Sequence, residues 1–408
     1  MRDKSQCRIC GGALHEFVDF GRQPMANAYL EPSRFATEFF YRLAVGMCDS
    51  CTMVQLIDEV PNERMFHKDY PYSSSGSTVM RAHFESLAHR FVERELQGPG
   101  KFIVEIGSND GIMLNVIAKN GLRHLGVEPC DNLAKVAAAN GVRVLNRYFD
   151  ESSAAEIVAA HGRADVIFAA NTVSHISRID SVLRGVDRLL SDSGVFVFED
   201  PYFLDIVDGT SFDQIYDEHI YFFTARSVAA MAARHGFELV DTEHLPVHGG
   251  EVRYTLARPG ARTPARAIGE MLERERGRHL TETATLEAFA ASVARCREEL
   301  VALLRDLRGR GKRIVGYGAT AKSATMMNYC GIGPDLVSYV CDNTPAKQGL
   351  YTPGTHVPIR PPEAFREGGA DYALLLAWNH ADEIMKKEAE FREAGGRWIL
   401  YVPQARVV

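Results

Sequence analysis

The chain has little that would carry it into a membrane or onto a nucleic acid. None of the apolar runs in its 408 residues exceeds the length of a strand, so no segment is long enough to span a bilayer. The first residues, Met1 to Cys7, carry charge with no apolar stretch behind it, which predicts no secretory leader. Positive charge is in deficit: 46 Lys and Arg stand against 53 Asp and Glu, a net charge of −7 with the two signs interspersed. A duplex nucleic-acid partner asks for a basic face and is disfavoured; a small anionic ligand met by a few local cations is not. Low-complexity tracts are absent, as are repeats beyond a general α/β similarity. The absences together predict a cytoplasmic, reducing setting, in which the eight cysteines are thiols or metal ligands rather than disulfides. The length allows two or three domains.

Four of the cysteines are ordered in sequence. Cys7 and Cys10 form one Cys-x-x-Cys pair, and Cys48 and Cys51 form another, with a loop-rich segment between. Each pair can chelate from a tight turn, and two such turns complete a tetrahedral thiolate site. Gly11 and Gly12 follow the first pair, where a knuckle needs relaxed backbone. The expectation is structural zinc, with free thiols or a redox pair as the alternatives. Four thiolates leave no open coordination position, so the metal is not expected to be catalytic. Cys130, Cys296, Cys330 and Cys341 have no partners at such spacing.

After a turn-rich stretch from Asp69 to Gly76, strands and helices alternate. Strands are expected at Phe102–Ile106, Leu125–Glu128, Val142–Leu145, Val166–Ala169 and Val195–Phe198, with helical stretches between. That rhythm predicts a parallel sheet buried on both faces. A helix to Arg234 precedes Phe237–Thr242 and Glu251–Ala257, which have no helix between them and are expected to pair antiparallel. From Glu282 to Arg308 one apolar stripe runs through Leu286, Phe289, Val293, Cys296, Leu300, Leu303 and Leu307, the spacing of a connecting helix packed on a neighbour. A second α/β unit starts at Arg313, with strands at Leu336–Cys341, Tyr372–Leu376 and Trp398–Val402. The expected divisions are 1–68 for the cysteine domain, 69–280 for the first α/β domain and 281–408 for the connector helix with the second.

Phe102 to Gly111 is the most telling stretch. Its apolar run ends in Glu105 and breaks into Gly107, Asn109, Asp110 and Gly111, as a buried strand does when it turns tightly into a helix. A glycine there lets backbone approach a ligand, and the acid suits a ligand carrying positive charge. An ordinary strand-to-helix turn is the plain alternative. The segment resembles the S-adenosylmethionine grip of class I methyltransferases, and the antiparallel ending of the sheet resembles theirs as well. Glu128, followed by Pro129, lies about twenty residues on, where an acid accepts from ribose hydroxyls. Asn171 and Thr172 follow the fourth strand, Val166–Ala169, at the same end of the sheet, where ligands of such sheets bind. The turn lacks the Gly-x-Gly-x-x-Gly order that seats a pyrophosphate on a helix N-terminus.

Gln214 to Tyr221 is a polar, aromatic cluster directly after the fifth strand, holding Tyr216, Glu218 and His219. A lid with a satisfied histidine and a stacked tyrosine would also account for it. Adjacent residues on an extended strand face opposite ways, so Glu218 and His219 reach one substrate only if the chain turns there.

Taken together, the motifs resemble the nucleotide-sugar C-methyltransferases of deoxysugar biosynthesis, which methylate C3 of a dTDP-4-keto-deoxyhexose. The likeness runs the length of the chain: Cys7 to Gly11, Tyr70 and Tyr72 in the turn-rich stretch, the Glu105 to Gly111 turn, Asn171 to His175, Tyr216 to His219, Gly316 to Lys322, Asp342, Lys347 to Gly349, and Tyr351 to His356. The resemblance implies an N-terminal zinc-binding domain, a central class I (Rossmann-like) methyltransferase domain and a C-terminal Rossmann-like domain for the nucleotide sugar. It implies donor contacts at Glu105, Gly107, Asn109, Asp110, Glu128, Pro129, Asn171 and Thr172. Sugar-nucleotide contacts would fall to Tyr72, Gly318, Lys322, Asp342 and Lys347. His219 becomes the expected base, with Glu218 a contender, while Glu218, Tyr216, His175 and Tyr70 orient the sugar or stabilise charge. A histidine near its ordinary pKa would suit that task at neutral pH. Which sugar and nucleotide carrier are used stays open, as does monomer against homodimer.

Two rival readings follow from the same residues. Gly316 to Ala321 fits Gly-x-Gly-x-x-Ala between a strand and a helix, with Asp342 closing the next strand, which is a dinucleotide fingerprint; an NAD-dependent nucleotide-sugar oxidoreductase is the runner-up. A zinc-ribbon methyltransferase of nucleic acid or protein is the third, and it leaves the C-terminal α/β unit without a task.

Overall fold

The computed structural model describes residues 4–65 and 73–408. Tyr70 and Tyr72 lie outside the described residues. Among the described helices none is long and apolar enough to cross a membrane.

The segment between the cysteine pairs, expected to be loop-rich, is instead a long antiparallel pair: β1 (Leu14–Pro24) and β2 (Phe40–Cys48). Alternation buries Val18 and Phe20 from one strand and Leu43 and Val45 from the other, and two register shifts in β1 bend the pair. β3 (Val54–Leu56) adds to β2.

The central sheet is built from β4 (Phe102–Ile106), β5 (Arg123–Val127), β6 (Val144–Leu145), β7 (Ala164–Ala170) and β8 (Leu190–Pro201), all parallel. β9 (Tyr221–Phe222) leaves this unit and pairs with β3 of the N-terminal sheet. β10 (Glu238–Leu245) and β11 (Glu251–Ala257) close the sheet antiparallel, giving the order β10-β11-β8-β7-β4-β5-β6. The chain runs outward from β4 through β5 to β6, then returns to β7 on the other side of β4. Strand order therefore reverses between β4 and β7, and a crevice opens beyond their carboxyl ends.

The third sheet repeats that logic: β12 (Ile314–Tyr317), β13 (Val340–Cys341), β14 (Ile359–Arg360), β15 (Tyr372–Leu375) and β16 (Arg397–Leu400) are parallel, and β17 (Arg406–Val407) is an antiparallel edge. The expected strand from Leu336 shrinks to β13, because Leu336 and Val337 hydrogen-bond back to the Gly333 carbonyl at 3.1 and 3.0 Å and bury their side chains from a turn. The connecting helix spans Thr283–Gly309. Its stripe passes through buried Leu304, with Leu303 only half-buried, as a 3.6-residue period requires after Leu300.

Aromatic contacts fasten the three units together. Phe17 of β1, Phe203 after β8 and Phe289 of the connecting helix meet with ring centroids 6.0 to 6.4 Å apart. A second knot joins Phe20, Phe212 and Tyr329 at 5.2 to 6.0 Å. These rings sit in one apolar cluster continuous from the N-terminal sheet to the C-terminal unit.

Candidate active site

The four cysteines converge. Their sulfurs lie within 4.8 Å of one another, with Cys7 and Cys51 at 3.6 Å and Cys10 and Cys48 at 3.4 Å. A tetrahedron with Zn–S of about 2.3 Å places sulfurs about 3.8 Å apart, so these spacings fit the metal. Amides of Ile9, Gly12, Ser50 and Cys51 donate to the sulfurs at 3.3 to 3.5 Å, and Gln55 Nε2 donates to Cys7 at 3.1 Å. Donors of this kind favour thiolate. A Cβ on Gly12 would lie 2.6 Å from Ser50 Oγ and 3.1 Å from Cys48 Sγ, so glycine lets the two knuckles face each other.

Beyond β4 the chain turns through Gly107 (φ 70°) and Asn109 (φ 50°). A Cβ on Gly107 would lie 2.4 Å from Thr172 Oγ1, so the ends of β4 and β7 are pressed together there. Glu128 accepts from the amides of Asn109 and Cys130, both at 2.8 Å. Those two bonds leave the carboxylate lone pairs for a ribose. Glu105 is buried, and its Oε2 has no hydrogen-bond partner among the described residues. Burial first, then Asp110, Glu128 and Glu199, holds its carboxyl well above the usual range. A buried acid with an open oxygen beside further carboxylates fits a cationic, ribose-bearing donor.

The other residues expected at the donor have protein partners. Asn109 Oδ1 accepts from the Ser74 amide at 3.0 Å, and Asp110 Oδ2 from Ser73 Oγ at 2.5 Å and the Ser75 amide at 3.0 Å. They latch the segment at Ser73–Ser75 onto the turn. Thr172 gives its hydroxyl to the Ala170 carbonyl at 2.8 Å. Asn171 sits at φ 47° with its amide on the Glu199 carbonyl at 2.7 Å. Pro129 is half-buried behind Glu128.

The polar cluster Gln214–Tyr221 lies beside this crevice, His219 facing His175 after β7. The His219 amide bonds the Tyr216 carbonyl at 3.0 Å, so the chain does turn there and adjacent side chains diverge. Glu218, 2 % exposed, receives Asn27 Nδ2 of the N-terminal unit at 2.6 Å. His219 turns the other way, its ring 4.2 Å from that of Tyr216 and 5.1 Å from that of His175. His219 Nδ1 lies 2.8 Å from the Gln214 carbonyl oxygen. A carbonyl only accepts, so Nδ1 carries the proton and Nε2 receives the Tyr216 hydroxyl at 3.0 Å. The expectation of an ordinary histidine pKa is overturned. Burial, then the facing His175, Lys322 and His248, holds His219 well below 6.5, and burial holds His175 down at about 4.

The C-terminal residues expected at the sugar nucleotide are tied to protein. Lys322 Nζ donates to the His248 carbonyl at 2.9 Å and lies 5.6 Å over the Trp378 ring. Asp342 accepts from the amides of Ala319 and Thr344 at 2.7 and 2.8 Å. Lys347 and the Tyr29 hydroxyl both donate to the Ala319 carbonyl, at 2.8 and 2.6 Å. Gly318 (φ 89°) serves close packing, since its Cβ would lie 2.8 Å from that of Ala377. Asp342 thus copies Glu128, folding back onto the amide of its own glycine turn.

Sequence reasoning missed Asn27, which follows no motif, and Glu199. Glu199 ends β8's apolar run, the same signal that singled out Glu105, and pairs with Arg253 at 2.6 Å and His83 at 2.7 Å.

This arrangement is that of an S-adenosylmethionine-dependent methyltransferase with a structural zinc site. Residues 7–66 match a family described as a putative zinc binding domain, 80–242 a methyltransferase domain, and 246–403 a C-methyltransferase C-terminal domain. The chain is 35% identical over 412 residues to the C-methyltransferase NovU of Streptomyces niveus, a match covering 100% of this chain and 98% of that protein. It is also 28% identical over 147 residues to a ubiquinone biosynthesis O-methyltransferase of Methylobacterium sp. (strain 4-46), covering 34% of this chain and 55% of that one. A solved S-adenosylmethionine-dependent methyltransferase from Anabaena variabilis matches 45% of this chain and 86% of its own at 18% identity, with a TM-score of 0.36, too loose to add to the argument. The chain belongs to the C-methyltransferase family that includes NovU. Nothing in these comparisons supports the oxidoreductase reading.

Two outcomes test the two sites. Cys48→Ser should lose bound zinc, measured by metal analysis of purified protein, and should lower the melting temperature, since a structural metal's binding energy is folding energy. Gly107→Ala should weaken donor binding in calorimetry and cost more than the ~1–2 kcal/mol of left-handed backbone strain. Gly121→Ala, at φ 69° with nothing within 4 Å, should cost the strain alone.

Proposed function

We propose that this C-methyltransferase acts on C3, the carbon next to the ketone of a nucleotide-linked 4-keto-deoxysugar, with dTDP the expected carrier. The supporting observation is the meeting of His219, Tyr216 and His175 beside the donor crevice, under the C-terminal unit. In this reading residues 1–68 form the zinc-binding domain, 69–280 bind the donor, and 281–408 take the sugar nucleotide, with Gly318, Lys322, Asp342 and Lys347 on its side.

S-adenosylmethionine supplies, when bound, an electrophilic methyl group on a sulfonium. The chain's own residues make the acceptor carbon nucleophilic. The 4-keto group acidifies the hydrogen on C3. His219 Nε2 holds the basic lone pair, because Nδ1–H is spent on the Gln214 carbonyl. The C3 hydrogen leaves as a proton to Nε2, directly or through the Tyr216 oxygen bonded to it, and its electron pair forms the enediolate. The resulting imidazolium keeps its Nδ1–H bond to the carbonyl. Glu218 is held by Asn27 on the other side of the turn, which favours His219 over Glu218 as base. Tyr216 and His175 stand where they can orient the sugar or carry charge on its oxygen. Ala26, Tyr216 and Ala324 form a small buried apolar cluster, and its Tyr216 ring lies 4.2 Å from that of the histidine.

His219→Asn should leave donor binding intact and lower both methyl transfer and exchange of the C3 hydrogen into heavy water by about 10²–10⁴-fold. Wild-type exchange in that variant would move the base role to Glu218. Mass spectrometry with the donor and a panel of 4-keto nucleotide sugars should show a methylene-sized gain. The neutral imidazole is the active form and its folded pKa is depressed. The acid limb of kcat/KM should therefore lie below pH 6.5, with a flat profile just above it. A limb at or above pH 6.5 would contradict the assignment.

A further inference from the structure

The Gln214 carbonyl that accepts the hydrogen bond from His219 Nδ1–H sits in a short turn, and the residues on either side of it are gripped by the C-terminal unit. Asp213, fully buried in the turn Phe212–Gln214, accepts at one carboxylate oxygen from Trp378 Nε1 at 2.7 Å and from the Tyr401 hydroxyl at 2.5 Å. On the other side, Thr325 of the helix Ala321–Cys330 gives its hydroxyl to the Ile215 carbonyl at 2.7 Å. Packing adds to this hold. Phe212 meets Tyr329 and Tyr401 with centroids 5.9 and 6.4 Å apart. A Cβ on Gly249 would strike the Trp378 ring at 2.6 Å and lie 3.2 Å from Gln214 Nε2. Three C-terminal side chains therefore hold the Asp213 carboxylate and the Ile215 carbonyl, and between these two anchors along the chain lies the Gln214 carbonyl that sets the histidine's tautomer.

We propose that Asp213, gripped by Trp378 and Tyr401 and seconded by Thr325 on Ile215, is a positioning residue through which the C-terminal unit sets the tautomer and aim of His219. The reaction asks for a lone pair on Nε2, which exists only while Nδ1 carries the proton. The Gln214 carbonyl enforces that state only if it points at the ring. A peptide free to rotate by some tens of degrees would lose the bond and let the proton settle on Nε2, leaving no base toward Tyr216. Asp213 reaches no reacting atom itself. Docking of the C-terminal unit and readiness of the base thus become one event. The inference rests on His219 being the base, and the tautomer can be read without any turnover.

The experiment is nitrogen-15 NMR of histidine-labelled full-length protein, with the His219 resonances assigned by their absence in His219→Asn. Wild type should show a protonated Nδ1 and an unprotonated Nε2 at His219. Tyr401→Phe combined with Thr325→Val should lose that pattern and lower kcat on the order of tenfold or more, with donor affinity within about twofold. Asp213→Asn keeps an acceptor oxygen and should retain the wild-type tautomer, whereas Asp213→Leu should lose it; this pair keeps the test meaningful if the double variant folds poorly. An unchanged tautomer together with an unchanged kcat in Tyr401→Phe/Thr325→Val would overturn the proposal. A lost tautomer with full kcat would support the positioning and instead remove His219 from the role of base.

Discussion

The hydrogen bond from His219 Nδ1 to the Gln214 carbonyl, 2.8 Å long, ties the candidate base to the architecture. It decides which ring nitrogen has a lone pair, and it joins two ends of one short segment that no single unit could hold still. Within Phe212–Phe222, the C-terminal unit grips Asp213 and Ile215, the N-terminal unit grips Asp217 and Glu218 through the Ala26 amide and Asn27, and β9 completes the N-terminal sheet. The segment is the common wall of three packed units. That explains why polar side chains crowd it and why nearly all of it is buried.

Burying so many ionisable groups has electrostatic consequences that follow from desolvation. Asp200, held by the Ser174 hydroxyl at 2.5 Å, is pushed up to about 8, and Asp217 beside Glu218 is also pushed to about 8. His175 is held at about 4 and His248 at about 3. The signs oppose each other. A carboxyl with a raised folded pKa contributes stability at low pH that is lost as pH rises through about 8. A histidine with a depressed folded pKa contributes stability at higher pH that is lost as pH falls below its unfolded value near 6.5. These four groups are therefore most stable with the two acids protonated and the two imidazoles neutral.

Much of the scaffold was legible because its signals are local. Cys-x-x-Cys pairs, the Glu105 and Gly107 turn and the βαβ rhythm each occupy a few consecutive residues, and turn chemistry or side-chain period reports them directly. The tie from Asn27 to Glu218 spans 191 residues, and those from Asp213 to Trp378 and Tyr401 span 165 and 188. No period or spacing encodes such pairings. The long β1–β2 pair escaped for a different reason: its alternation is broken by register shifts at Glu16/Val18 and Asp19/Arg22, so it read as loop.

The order of residues along the chain determined the metal ligands, the donor turn with its acids, and the candidate base with its polar neighbours, because each depends on residue types at fixed short separations. Only tertiary structure decided how those groups are charged and aimed. It turned Glu218 and His219 apart, committed Asp342 and Lys347 to their own glycine turn, and drew His219 far from its ordinary pKa. Those outcomes depend on burial and on carbonyls brought in from distant segments, and both come into being when the three units pack.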